Sequence, residues 1–102
     1  MEVMIVAPDI RKFVLKLSVE TRMKVARVIE TLEENGYEIG IPASKSLHNG
    51  LFELRTMGKI QVRLLYCFHE NKAYILHAIV KKTDEIPLKD LYLAQKRRML
   101  LS

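Results

Sequence analysis

The stretch from Leu51 to Lys81, LFELRTMGKIQVRLLYCFHENKAYILHAIVK, constrains the fold more than any other part of this chain. Apolar residues recur there with a period of two, in runs separated by Met57-Gly58-Lys59 and Glu70-Asn71. Side chains alternate across a strand, so the pattern predicts strands over 51–56, 60–69 and 72–81 joined as antiparallel hairpins. In the long middle strand, Ile60, Val62, Leu64, Tyr66 and Phe68 share one face, which the pattern marks as the core face. Gln61, Arg63, Leu65, Cys67 and His69 share the other.

Arg55, Lys59 and Arg63 lie on this hairpin, although its other residues favour burial. With Met57-Gly58 as a two-residue turn, Arg55 faces the core opposite Ile60. With Met57-Gly58-Lys59 as a three-residue loop, Arg55 lies opposite Gln61 and Glu53 opposite Arg63, while Phe52 and Leu54 join the core. A slip of one residue exchanges the faces, so burial selects the second register. Gly58 supplies the positive φ that such loops use. Pairing His69 with Lys72 then sets Arg63 opposite Ala78. It places Lys82 on the side of Arg55 and Arg63, with His77 and Lys81 on the other side. Lys81 still reaches the site if the strand frays after Val80. The expected result is a group of cations beside Glu53. Either Arg63 simply pairs with Glu53 across the hairpin, or the group binds an anion.

The flanks add helices. VMIV (3–6) predicts a short strand, and Ile10, Phe13, Val14 and Leu17 line one face of a first helix. Ser18 caps a second helix whose stripe is Val19, Met23, Ala26, Ile29 and Leu32, with Gly36 ending it. Residues 37–50 form a connector. Pro87 opens a last helix over 87–100 that carries the basic run KRR. The order β-α-α-β-β-β-α predicts an α+β fold. Its sheet is four-stranded and mostly antiparallel, packed by a helical hairpin and a C-terminal helix. Leu65, Tyr74, Leu76 and Val80 form a second apolar face, partly covered by that helix.

At 102 residues the chain fits one domain, residues 1–102. No apolar run approaches the roughly 18 residues of a membrane helix, and MEVMIVAPDIRKF lacks the layout of a signal peptide. A cytoplasmic protein away from membranes is expected. The formal net charge of +5 points to an acidic partner. Cys67, the single cysteine, excludes an internal disulfide and a cysteine zinc cluster. Its apolar strand marks it as a buried hydrophobe.

GLFELRTMGKIQVRLLYCF followed by ILHAIVKKTDEIP resembles the HigB branch of the RelE-like toxins, the phage-derived kind. The resemblance is strongest from Lys45 to Ala94. It implies the RelE-like fold and the toxin of a type II toxin–antitoxin pair. Such a toxin is an endoribonuclease that cuts mRNA, usually on the ribosome, without metal or cofactor. It also implies a helix-turn-helix antitoxin, HigA-like, through which alone operator DNA is bound. Carried over by position, the family's cations fall on Arg55, Arg63 and the pair Lys81-Lys82, with Lys45 at a further basic position. Glu53 stands where RelE carries a cation. Leu88 stands where RelE has a tyrosine near the start of its last helix, and Tyr92 lies a turn further on.

RNA cleavage needs a deprotonated 2′-hydroxyl, a stabilised phosphate and a protonated leaving oxygen. Arg suits the phosphate because its planar fork matches phosphate oxygens. Arg55, Arg63 and Lys82 are therefore the expected catalytic residues, the arginines as phosphate clamps and Lys82 as a proton-transfer or charge-stabilising group. Glu53 is either a base or the partner that orients Arg63. Lys45, Lys59, Lys81, Arg97 and Arg98 are expected to bind RNA, although the charge run ending in the last two also suits a helix C-terminus. His77 and Tyr66 read as core residues. The alternative to an enzyme is a catalytically weak RNA- or ribosome-binding module of the same fold, acting with its antitoxin in autoregulation.

Overall fold

The computed structural model describes residues 1–101. Its order is β1 (Val3–Ile5), α1 (Pro8–Leu15), α2 (Val19–Asn35), a 3-10 turn (Gly36–Glu38), β2 (Ser44–His48), β3 (Leu51–Arg55), β4 (Val62–His69), β5 (Lys72–Val80) and α3 (Leu88–Met99). The α+β architecture and the C-terminal helix agree with expectation. The sheet has five strands rather than four, in the order β1-β5-β4-β3-β2. The added strand, β2, lies inside the expected connector and pairs antiparallel with β3. Its residues SKSLH have weak strand propensity, and only pairing against a buried neighbour makes them a strand. β1 pairs parallel with β5, and the remaining neighbours are antiparallel.

Each face of the sheet has its own core. On one face, Leu54, Val62, Leu64, Tyr66, Ile75 and Ala78 pack against Ile10 of α1 and Val25, Val28 and Leu32 of α2. Fully burying a Leu or Val side chain contributes about 1.5–3 kcal/mol, so this layer supplies much of the stability. The buried face of α2 is Thr21, Val25, Val28 and Leu32, rotated from the expected stripe. Val19 and Met23 are exposed, because Val25 and Val28 meet the sheet together with Leu32. Ser18 does cap α2, its hydroxyl accepting from the Thr21 amide at 3.2 Å. On the opposite face, Leu51, Leu65, Cys67 and Leu76 pack beneath Ala94 of α3.

Two irregularities set the register around Arg63. The β3–β4 loop spans 57–61 instead of three residues, so Arg55 pairs with Arg63 and Glu53 with Leu65. The faces are nevertheless as expected, because the register differs from the expected one by an even number. Ile60 leaves the strand and is exposed. Between β4 and β5, His69 pairs with Lys72 as expected, but a bulge at Leu76 follows. One extra residue exchanges the faces beyond it. Arg63 therefore lies opposite Ile79, not Ala78, and His77 opposite Leu65 on the α3 side. Val80 pairs with Val62 and belongs to the other face.

Candidate functional site

The α3 side of the sheet carries Glu53 and Arg55 from β3 and Arg63 from β4. Glu53 is 7 % exposed and Arg63 only 1 %. The Arg63 Nε lies 3.1 Å from Glu53 Oε2. Its Nη1 donates to the carbonyls of Thr56 and Val62, each at 3.0 Å, and its Nη2 to Gln61 Oε1 at 3.0 Å. Burial pushes the guanidinium below its usual value, which the Glu53 carboxylate opposes and neighbouring Arg55 reinforces. The group remains charged, since arginine is not deprotonated in proteins. Arg63 thus closes the neck of the 57–61 loop from inside. Thr56 helps, its hydroxyl accepting from the Val62 amide at 2.9 Å. From α2, Lys24 donates to the Met57 carbonyl at 3.0 Å. Gly58 has φ +115°, and a Cβ there meets the Lys24 ammonium, so glycine allows both the turn and the contact.

Arg55 is placed differently. Its side chain is 24 % exposed, and its Nε lies 3.7 Å from Glu53 Oε2, beyond hydrogen-bond range, with no partner of its own. Glu53 therefore stands between two arginines, one sealed in the fold and one partly exposed.

Glu53 also lines a groove of about 710 Å³ between β2 and the segment that leads into α3. Lys45 and His48 of β2 form one wall, and Thr83 to Leu88 the other. A second cavity, about 590 Å³, lies against the same segment and is lined by Lys81, Lys82, Lys89 and His77. The Lys81 amide donates to the Gln61 carbonyl at 2.7 Å. Counting by two from Ile79, the Arg63 face reaches Lys81 rather than Lys82, the reverse of the expected order. Both lysines nonetheless line the second cavity. Lys59 is exposed in the β3–β4 loop.

Arg97 and Arg98 are engaged within the fold. Arg97 donates to the Leu76 carbonyl at 2.8 Å and to Asp9 Oδ1 at 2.7 Å, tying α3 to the sheet and α1. Arg98 packs so closely over Gly50 that a Cβ there meets its Nη2 at 2.6 Å. Tyr66 is buried, its hydroxyl 2.6 Å from Ser44 Oγ. Burial pushes its phenol upward, and likewise the Cys67 thiol.

Sequence reasoning missed the pairing of His77 with Asp90 of α3, at 2.7 Å between Nε2 and Oδ1. It also missed Gln61, Thr56 and Lys24 as supports of the loop. Lys24 meets a backbone carbonyl far along the chain, the Thr56 hydroxyl meets a backbone amide, and Gln61 meets Arg63 only because the loop bends, so no spacing announced them.

Residues 12–99 match the family model for Phage derived protein Gp49-like (DUF891). The chain belongs to that family. Gp49-like proteins are a RelE/toxin-like family, which agrees with the fold described above. The match runs from α1 to the end of α3 and so includes every residue of both cavities. No curated protein matches the chain. No helix among the described residues of this Gp49-like chain is long and apolar enough to cross a membrane.

Proposed function

We propose that this Gp49-like protein is the toxin of a type II toxin–antitoxin pair of the HigB type, a metal-independent endoribonuclease that cuts mRNA on the ribosome in the cytoplasm. The observation that carries this reading is the arrangement around Glu53. One arginine, Arg63, is buried and held through each of its three nitrogens, while a second, Arg55, is partly exposed beside Glu53 and lines a cavity of about 420 Å³ with Lys24 and Arg27 of α2.

In this reaction the substrate's 2′-hydroxyl gives up its proton to solvent, its oxygen bonds to the adjacent phosphorus, and the bond from phosphorus to the 5′-oxygen breaks. The products are a 2′,3′-cyclic phosphate and a 5′-hydroxyl that takes up a proton. The demand for a 2′-hydroxyl makes RNA the substrate. Arg55 holds the phosphate oxygens as charge builds on them, and Lys81 and Lys82 add cationic stabilisation and a proton for the leaving oxygen. A fixed donor of this kind is worth about 3–4 kcal/mol. Arg63 acts as a positioning residue. It fixes Glu53, and Glu53 steers Arg55, so the carboxylate serves better as an orienter than as a base.

A second reading has its own support. Glu53 is held by Arg63, and Leu88, where RelE carries a tyrosine, is an exposed apolar residue. Both facts favour a binding module that acts with a helix-turn-helix antitoxin on operator DNA. The purified protein added to mRNA-programmed ribosomes distinguishes the two. New fragments with 5′-hydroxyl and 2′,3′-cyclic phosphate ends support the enzyme. Ribosome binding without new ends supports the module.

A further inference from the structure

Arg55 belongs to two places. It stands beside Glu53, and it lines the cavity of about 420 Å³ between α2 and the β3–β4 loop. Lys24 and Arg27 of α2 line the same cavity. Residues three apart are neighbours on a helix surface, so these two cations share one wall. Val28, Pro42, Ala43 and Met57 add apolar surface, and no acidic residue is in the lining.

The frame of the cavity is fixed. The Lys24 ammonium donates to the Met57 carbonyl at 3.0 Å. The Arg55 amide donates to the Ala43 carbonyl at 2.9 Å, which ties the end of β3 to the chain entering β2. Glu20 lies 3.9 Å from the Lys24 ammonium, but it is outside the lining and its side chain is 85 % exposed, so water screens it. Arg27 is exposed, and its guanidinium has no partner among the described residues.

Three cations around one hollow repel one another until an anion joins them. The volume is that of a small-ligand site, about 300–1,000 Å³. A nucleotide matches the hollow in both its parts. Its phosphate meets the cations, and its sugar and base cover the apolar wall. We propose that the cavity holds the RNA nucleotide next to the scissile phosphate, with Lys24 and Arg27 on the flanking phosphate and Arg55 between the two phosphates. The inference rests on the RNA-cleaving reading and deepens it, because it adds α2 to the substrate surface and makes Arg27 a positioning residue. Sharing Arg55 favours RNA over an acidic protein segment. A strand whose phosphate sits at Arg55 brings its next phosphate within one nucleotide's reach.

The test uses single-stranded RNA, free and on programmed ribosomes, with wild-type protein, Arg27→Ala and Arg27→Lys. Companion RNAs carry a neutral methylphosphonate one linkage to either side of the cut. Arg27→Ala is expected to weaken affinity about 10-fold, the scale of one charge-assisted hydrogen bond, and to lower the salt slope by about 0.7. At one of the two positions the methylphosphonate weakens wild-type binding to a similar degree. There it adds less than about twofold to Arg27→Ala, since both changes remove one contact. Arg27→Lys keeps the slope, because the charge is retained. Arg27 is exposed, so thermal unfolding of both variants matches wild type. Unchanged affinity and slope in Arg27→Ala overturn the inference and leave the RNA reading standing. Losses that add fully at both positions overturn it as well. Intact RNA binding with weakened capture of the antitoxin reassigns the cavity to a protein. Absence of both binding and cleavage with wild-type protein overturns the RNA reading too.

Discussion

Glu53 and Arg63 form an ion pair inside the sheet's α3 face, 3.1 Å apart, with the arginine more fully buried than the glutamate. Removing one member of such a pair leaves an uncompensated charge in a medium that cannot solvate it. Glu53→Ala is expected to lower stability by about 3–5 kcal/mol in urea unfolding. Arg63→Ala costs a similar amount, because the carbonyls of Thr56 and Val62 lose their donor as well. A stability loss below about 1 kcal/mol for both variants contradicts a structural role for the pair.

Arg55 separates function from folding. Its side chain is partly exposed, and its buried Nε makes no hydrogen bond. Arg55→Ala should leave the unfolding midpoint close to wild type and lower mRNA cleavage by about 100- to 1,000-fold, the scale for losing one fixed donor at a developing charge. Arg55→Lys should recover only part, since an ammonium lacks the bidentate fork. Stopped growth in cells expressing Arg55→Ala, at wild-type protein levels, is the contrary outcome.

Alkaline pH should weaken the fold through Cys67 and Tyr66. Burial raises both groups in the folded protein. Above their ordinary values, about 8.5 and 10, the unfolded chain releases protons that the folded chain retains. The folded state then binds more protons, and stability falls as pH rises. The contribution is complete below about pH 8.5. Tyr66→Phe should flatten the upper part of this decline while costing about 1–3 kcal/mol at neutral pH, because Ser44 loses its partner. Equal slopes for wild type and variant from about pH 9 to about pH 11, the range around the ordinary tyrosine value, count against the assignment.

Binding to RNA or ribosomes should fall steeply with salt. Each phosphate contacted by a lysine or arginine releases condensed counterions, with a slope near −0.7 per contact on a single strand. Lys45→Ala is expected to reduce the slope by about that amount. An affinity independent of salt contradicts an electrostatic docking surface.

The alternation from Leu51 to Lys81 makes the sheet and its two faces legible, because burial on both sides punishes a register that exchanges them. Arg55, Glu53 and Arg63 are correctly grouped for that reason. Ordering the lysines fails at one point. The bulge at Leu76 has no distinct residue type, yet it moves Lys81 to the Arg63 side in place of Lys82. The strand Ser44–His48 reads as connector because its polar residues carry little signal and its partner β3 supplies the pairing. The depth of Arg63 is equally hidden. Its carbonyl acceptors are backbone atoms, which have no sequence signature.

The most direct test is mapping of transcript 5′ ends after induction of the wild-type protein and of Arg55→Ala, matched for expression. New ends within coding regions are predicted for the wild type. They should diminish by about 100-fold or more in the variant, whose unfolding midpoint should stay close to wild type. Equal cleavage by both proteins, or none by the wild type while growth stops, contradicts the claim that Arg55 beside Glu53 is the centre of an RNA-cleaving site.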